Sequence, residues 1–497
     1  MNTKMKKVLT MGLAATLLLG SLSGCGKKAE EQPKEPVATE AGKTETEPAQ
    51  DDVKKPEKIS VMVNVGILEE DGLNEFAQDF EAKTGIKLEI QSVRGAEYYQ
   101  KLELAFASNQ APDVFSVGDG KLPIYASQGA LVDLTELAGE SKIVRGMESS
   151  VIEGSRVSGK IYGIPYEGGG GPVTYMRQDW LDQLGKEVPK TYDEFIDVLR
   201  GFKTIAPDVI PLTSPGLMAG EAKMYLTQFY QDSSPEFVQV NGEWVDGMAE
   251  PNMKDALVRM RDAYAEGLID TEVVTNKTST CRDKWYAGQV GVFSYWAGNW
   301  NTLLEDRVQA TDPNAKVVAA PALEGTKYDI RVPAVFAISS LAENPEGIFK
   351  YFIEYMHDGA EGSVLFRHGV EGLHWELKDG NYAHLPKISK PEEINDKAFI
   401  TPVLGLEDIT IPGYKHELDP RVVSSVKLIK LDGVQQVSVP VSKALGKVSS
   451  DLLALREKTI SMVVLGEAEL DKALETYAAE SKNLGVEDIL VELNANK

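Results

Sequence analysis

From Ile59 onward the hydrophobic period switches back and forth between strand and helix values, and this alternation limits the possible folds more than any other feature of the chain. In "ISVMVNVGI", Ile59, Val61, Val63 and Val65 fall at every second position, which places them on one face of a strand. Leu73, Phe76 and Phe80 follow at helical spacing, and Gly85 supplies a stop. "IKLEIQSV" repeats the strand pattern, and residues 96–108 repeat the helical one. Strands separated by helices predict an α/β fold with a mainly parallel sheet. A sharper helix start lies at Thr191, where Thr191 and Glu194 form a capping box ahead of the apolar stripe Phe195, Val198 and Phe202. The last hundred residues read as largely helical: Leu470, Leu474, Tyr477 and Ala478 share one face, and Gly485 ends that helix. A chain of 497 residues without an internal repeat or a further membrane-length segment suits two lobes of ordinary size.

The first sixty residues are of a different kind. Lys4, Lys6 and Lys7 make a basic start, and Val8 to Leu19 form an apolar run of twelve residues. That run is short for a bilayer span and right for a secretory signal. Leu22-Ser23-Gly24-Cys25 resembles the lipobox of bacterial lipoproteins. The resemblance implies cleavage before Cys25 and a diacylglyceryl thioether on its sulfur. Residues 26–58 contain seven Lys, nine acids, four Pro and no aromatic residue, too little apolar surface to order themselves. As a random coil of 33 residues the segment would span roughly 30 Å, the reach of a tether.

Charge and cysteine content exclude several function classes. Net charge is −24, and the three lysines of the acid-free first 24 residues leave −27 on the chain from Cys25 onward. Such a surface repels phosphate backbones and anionic lipid, so no nucleic acid is expected, and no membrane contact beyond the anchor. Two cysteines, Cys25 and Cys281, cannot make a disulfide framework or a Cys-rich metal site, and Cys281 reads as a small, partly buried thiol. There is no G-x-S-x-G elbow, and the S-x-x-K match at Ser424–Lys427 lacks its companion motifs. The five histidines lack H-E-x-x-H spacing and no EF-hand loop occurs, so neither metal nor cofactor is expected. Gly168–Gly171 is followed by Pro172 and no Lys-Ser/Thr, which fits backbone freedom and not a phosphate cradle. With 76 acids, no spacing singles out a carboxylate pair for glycoside hydrolysis.

What stands out is aromatic and amide residues in predicted loops. "YEGGGGPVTY" joins Tyr166 and Glu167 to the glycines, "FSYWAGNWN" gathers Tyr295, Trp296, Asn299, Trp300 and Asn301, and "GLHWELKDGNY" adds His374 and Trp375. An indole usually fills core, but one flanked by Gly and Asn is less core-like. Flat rings beside amides suit a ligand with an apolar face and an edge of hydroxyls, as a sugar has.

Five segments, taken in order behind a lipobox, resemble the extracellular solute-binding lipoproteins of bacterial carbohydrate ABC importers. They are "APDVFSVGDGKLPIYASQGALVDLTEL" (111–137), "GKIYGIPYEGGGGPVTYMRQDWLDQLGKEVPKTYDEF" (159–195), "AGQVGVFSYWAGNW" (287–300), "NPEGIFKYFIEYM" (344–356) and "GVEGLHWELKDGNY" (369–382). The resemblance implies a two-lobed, periplasmic-binding-protein-like α/β fold of the class II type, with a hinge and a ligand cleft between the lobes. Its crossings would fall near Tyr166–Gly171, near 325–332 and around 400. The expected organisation is a signal peptide over 1–24 and a lipidated Cys25 with its tether over 25–57. The N-terminal lobe then takes 58–165 and 327–400, the C-terminal lobe 166–326, and a helical part over 401–497 packs on the latter. By the same resemblance Glu167 and Asp119 contact sugar hydroxyls and Trp296 stacks on a ring, although Asp119 sits one position off in an ungapped reading. A second stacking Trp found late in maltose-type relatives has no counterpart after Trp375, which argues against a maltose-like ligand.

The expected ligand site is therefore Asp119, Tyr166, Glu167, Tyr295, Trp296, Asn299, Trp300, His374 and Trp375. The implied partners are an oligosaccharide and the permease subunits of an ABC transporter, met by a monomer on the outer face of the cytoplasmic membrane. Two other readings stay open: a surface-anchored glycan hydrolase, and the same fold holding a peptide or another polar solute.

Overall fold

The computed structural model describes residues 53–64, 72–93, 97–118, 120–147, 149–166, 170–217, 222–385, 419–437, 439–440 and 442–495. Cys25, Asp119, Glu167, the expected signal peptide over 1–24 and the crossing expected around 400 lie outside them. Two sheets organise the folded body. In the first, the strands run in the order Lys87–Ser92, Lys58–Val63, Val114–Val117, Val335–Ile338, Ile164–Pro165. In the second the order is Val317–Ala320, Pro172–Arg177, Val290–Trp296, Ile210–Thr213.

The alternation at the start of the body folds as the pattern dictates. Ile59, Val61 and Val63 bury one face of their strand against Phe76 and Phe80 of the Leu73–Thr84 helix. Gly85 stops that helix with φ +70°, a left-handed conformation that glycine takes without cost. The capping box forms in full: the Thr191 hydroxyl accepts from the Glu194 N–H at 3.2 Å, and the Glu194 carboxylate accepts from the Thr191 N–H at 3.3 Å. It fixes the Tyr192–Phe202 helix, whose Phe195, Val198 and Phe202 enter the core beneath the second sheet.

The sheets are mixed, where the local pattern predicts mainly parallel ones. Lys58–Val63 is parallel to both neighbours, but Val335–Ile338 is antiparallel to both of its own, with Val335 opposite Val117 and Pro165. Likewise Pro172–Arg177 is antiparallel to the strands on each side, while Val290–Trp296 and Ile210–Thr213 are parallel. For Val335–Ile338 the physical reason lies in how the strand is reached. A parallel neighbour needs a crossover, usually a helix, to return the chain to the starting end. Val335 follows a segment that passes from the second sheet to the first without a helix, so its strand enters from the crossing end and runs backwards.

The C-terminal helices Lys443–Val464, Leu470–Asn483 and Val486–Ala495 pack into the core of the second sheet, where Leu452, Ile460, Tyr477 and Ile489 meet Trp180, Phe195 and Phe202. On the middle helix the inward stripe is Leu470, Ala473, Leu474, Tyr477 and Ser481. Ala478 is exposed, because at 100° per residue it has turned past the contact line. No described helix is long and apolar enough to cross a membrane.

Candidate functional site

Three chain segments converge where the sheets are joined. The first, after Ile164–Pro165, places the Tyr166 ring against Phe336, with centroids 4.5 Å apart, and bonds the Tyr166 N–H to the Ala334 carbonyl at 3.2 Å. Gly170 takes φ +61°, and a Cβ on Gly171 would overlap the Asp329 carbonyl oxygen, so side chains are excluded where the first segment meets the second. The second segment runs through Tyr328–Ile330, and Arg331 donates its N–H to the Gly170 carbonyl at 3.0 Å. The third, Gly433–Gln435, pairs with Tyr328–Ile330 in parallel, and the Gln435 amide donates to the Ile330 and Arg331 carbonyls at 3.2 and 3.0 Å. Beside them Lys223 and the buried Asp329 form an ion pair at 2.8 Å.

The Val290–Trp296 strand delivers its aromatic end to this junction. Its Trp296 lies opposite Pro172, and the Ala297 N–H donates to the Gly171 carbonyl at 3.1 Å. Trp296 is half-buried, its indole lies under the Arg331 guanidinium at 4.9 Å, and its carbonyl accepts from the Tyr175 hydroxyl at 2.9 Å. Strand pleating turns Tyr295 to the opposite face. There it stacks on Phe293 at 5.1 Å and meets the edge of Trp300 at 4.7 Å. The Arg282 guanidinium, from the Thr278–Tyr286 helix, lies over both Trp300 (5.2 Å) and Tyr295 (5.9 Å). Gly298, at φ +91°, turns the chain into the Trp300–Gln309 helix, with half-exposed Asn299 at its N-cap. Asn301 is spent on structure: it is buried, and its amide donates to the Arg421 carbonyl at 2.8 Å.

The structure thus brings Trp296, Asn299 and Trp300 into one turn at the junction, with Tyr166 on the adjoining crossing, whereas Tyr295, expected in the site, is buried in the core because the pleat turns it to the other face of the strand. His374 and Trp375 belong to a different place, a hairpin in which Trp375–Lys378 pairs with Asn381–His384. His374 is fully buried and its Nδ1 accepts from the Val370 N–H at 2.9 Å; the Trp375 indole N–H donates to the Gly369 carbonyl at 3.0 Å. No described contact joins either residue to Trp296. Arg282, Arg331, Lys223 and Asp329 were not singled out from the sequence. Arg282 sits in an ordinary polar helix and Arg331 in a loop, and no local pattern marks a residue whose partner lies 13 to 106 positions away.

Cys281 is fully buried, its sulfur accepts from the Thr213 hydroxyl at 3.5 Å, and burial pushes its thiol up to about 11, which keeps it unreactive. No group of three or more His, Cys, Asp or Glu among the described residues could hold a metal ion. A cavity of about 840 Å³ opens beside the edge strand Lys87–Ser92, lined by Leu88, Ile90, Leu104 and neighbours. It shares no residue with the aromatic turn.

Comparison with known proteins agrees with this architecture. The family model for bacterial extracellular solute-binding protein matches residues 66–356. The diacetylchitobiose binding protein DasA of Streptomyces coelicolor is 31% identical over 258 residues, which cover 51% of this chain and 55% of that protein. Lipoprotein LipO of Bacillus subtilis is 25% identical over 62% of this chain and 66% of its own. The polygalacturonan/rhamnogalacturonan-binding protein YtcQ of the same organism is 23% identical over 60% and 63%. The matched region therefore spans between half and two thirds of the length of these relatives. Among solved structures, the alginate-binding protein AlgQ2 superposes with a TM-score of 0.65 at 19% identity, covering 89% of this chain and 98% of that one. The N-glycan transport solute binding protein NgtS from Streptococcus pneumoniae gives 0.66 at 19% identity over 89% and 98%. At that identity the likeness establishes the fold alone.

Proposed function

The chain belongs to the bacterial extracellular solute-binding proteins, and from that premise we propose that it is a lipid-anchored receptor that captures an oligosaccharide and delivers it to an ABC permease. The observation that carries the reading is the aromatic turn: Trp296, Asn299 and Trp300 sit together, half-buried, where the crossings between the sheets converge. Relatives named for diacetylchitobiose and for polygalacturonan/rhamnogalacturonan favour a sugar over a peptide.

In this reading the site is Trp296 and Trp300 for stacking, with Asn299, Tyr166, Glu167 and Asp119 for hydroxyls. The His374 Nδ1 and the Trp375 indole N–H bond within their own segment, and both residues serve the hairpin. Stacking supplies affinity, and hydrogen bonds supply selectivity because a buried polar group left unpaired is costly. The crossings act as the hinge, and ligand favours a closed form only by as much as it binds that form better.

Thermal-shift screening of the soluble body against oligosaccharides tests the proposal. A ligand at 100 times its Kd adds about 2.7 kcal/mol of stability, so at least one sugar should raise Tm in a concentration-dependent way. Prolonged incubation with that sugar should release no new reducing ends. A panel of sugars and peptides in which only peptides raise Tm would reassign the ligand, and steady release of reducing ends proportional to protein would favour a hydrolase.

The anchor is proposed on Leu22–Cys25, and a lipoprotein among the relatives supports it. Cys25→Ser should yield a folded protein released from the membrane, because buried acyl chains hold by about 0.8 kcal/mol per CH₂. Fractionation tests this: variant protein that stays with salt-washed membranes would mean that something other than lipid holds it. With the lipid attached, the receptor works as a monomer on the outer face of the cytoplasmic membrane.

A further inference from the structure

We propose that the aromatic turn recognises a carboxylate, so that the preferred ligand is an acidic, uronate-bearing oligosaccharide read by Arg282. The inference rests on the sugar-binding reading and deepens it.

In a chain with 76 acids and 52 bases, a cation near other charges is expected to have a carboxylate partner. Other cations of the same part of the molecule do. Lys223 is held by Asp329 at 2.8 Å, Lys284 on the same helix by Asp270 and Glu272 at 2.7 Å each, and Arg421 by Glu305 and Asp419 at 2.6 and 2.7 Å. Arg282 makes no ion pair and no hydrogen bond among the described residues. Its guanidinium lies over Trp300 and Tyr295 instead, and it is half-buried. A second guanidinium, that of Arg331, lies over Trp296 at the end of the same strand.

A guanidinium presents its N–H groups as a planar fork, and those not turned toward the rings can grip a carboxylate with two parallel bonds. The rings also hold it in place, so little side-chain freedom is lost on binding. The excess of negative charge on the whole molecule makes the local cation necessary: without it an anionic sugar would be repelled from the cleft.

Isothermal titration of the soluble body decides the matter, with tetragalacturonate and tetramannuronate as acidic probes and maltotetraose and cellotetraose as neutral ones. At least one acidic probe should bind more tightly than either neutral probe, and its affinity should fall with added salt. Arg282→Gln should weaken acidic binding at least about tenfold, the scale of a hydrogen bond to a charged group. Arg282→Lys should recover only part of that loss, since an ammonium lacks the fork. Melting curves on both variants verify folding. Neutral probes binding while the acidic ones do not would overturn the inference and leave sugar capture standing. Acidic binding indifferent to Arg282→Gln would overturn it as well. If no probe binds, the inference falls, and the wider thermal-shift screen judges sugar capture separately.

Discussion

Replacing Asp246 with alanine should cost the folded protein about 3–5 kcal/mol, the range for stripping one partner from a buried ion pair. Asp246, Arg456 and Tyr477 form a closed triangle that ties the C-terminal helices to the second lobe. Arg456 donates to Asp246 at 2.7 Å and to the Tyr477 hydroxyl at 3.2 Å, and that hydroxyl donates to the other Asp246 oxygen at 2.7 Å. The guanidinium also lies 4.6 Å from the centroid of Phe237. The Arg456 and Asp246 side chains are 7% and 5% exposed, so neither is rescued by water once the other is gone. The triangle as a whole need not add stability, because its desolvation cost offsets most of its attraction. A double variant, Asp246→Leu with Arg456→Met, should therefore recover much of the loss that Asp246→Ala alone incurs. Urea midpoints of the three proteins test this. A single variant within 1 kcal/mol of the parent would show that the triangle is solvated after all.

That triangle also shows where sequence reading stops. The residues that build secondary structure announce themselves locally: the period of Ile59, Val61 and Val63, the Thr191–Glu194 box and the stripe of Phe195, Val198 and Phe202 each need fewer than a dozen neighbours to be recognised. Strand direction does not. Whether Val335–Ile338 runs with or against Val114–Val117 depends on the route by which the chain arrives, and hydrophobic period is blind to it. Nor does the local pattern separate a ring in a site from a ring in a core. Trp296 and Trp375 each sit beside polar residues in the sequence. In the folded chain one is half-buried under Arg331 at the junction, and the other is 8% exposed with its N–H turned inward to Gly369. Arg282, 13 and 18 positions from the two rings it covers, reads as one more charge on a solvated helix.

The largest effect on binding is expected from Trp296→Ala. Truncating a large aromatic anchor at the centre of an interface typically costs 2 kcal/mol or more, so sugar affinity should fall at least about 30-fold. Two structural facts bear on how that loss would be read. The Trp296 carbonyl, not its indole, accepts the Tyr175 hydroxyl, so the backbone at the strand end survives the substitution. The indole does carry the Arg331 guanidinium, and removing it frees that side chain to reorient within the site. Trp180 provides the contrast. It is 6% exposed, packs edge-on against Phe202 at 5.5 Å and lies beneath Arg177 at 4.5 Å, within the core of the second sheet. Trp180→Ala should create a core cavity worth about 3–5 kcal/mol and show itself in the melting temperature. Calorimetric affinity and Tm, measured on both variants with the sugar found by screening, separate the two roles. Trp296→Ala should move affinity far more than Tm, and Trp180→Ala the reverse. A Trp296→Ala protein that melts much earlier yet binds as tightly as the parent would place that indole in the core and the sugar elsewhere.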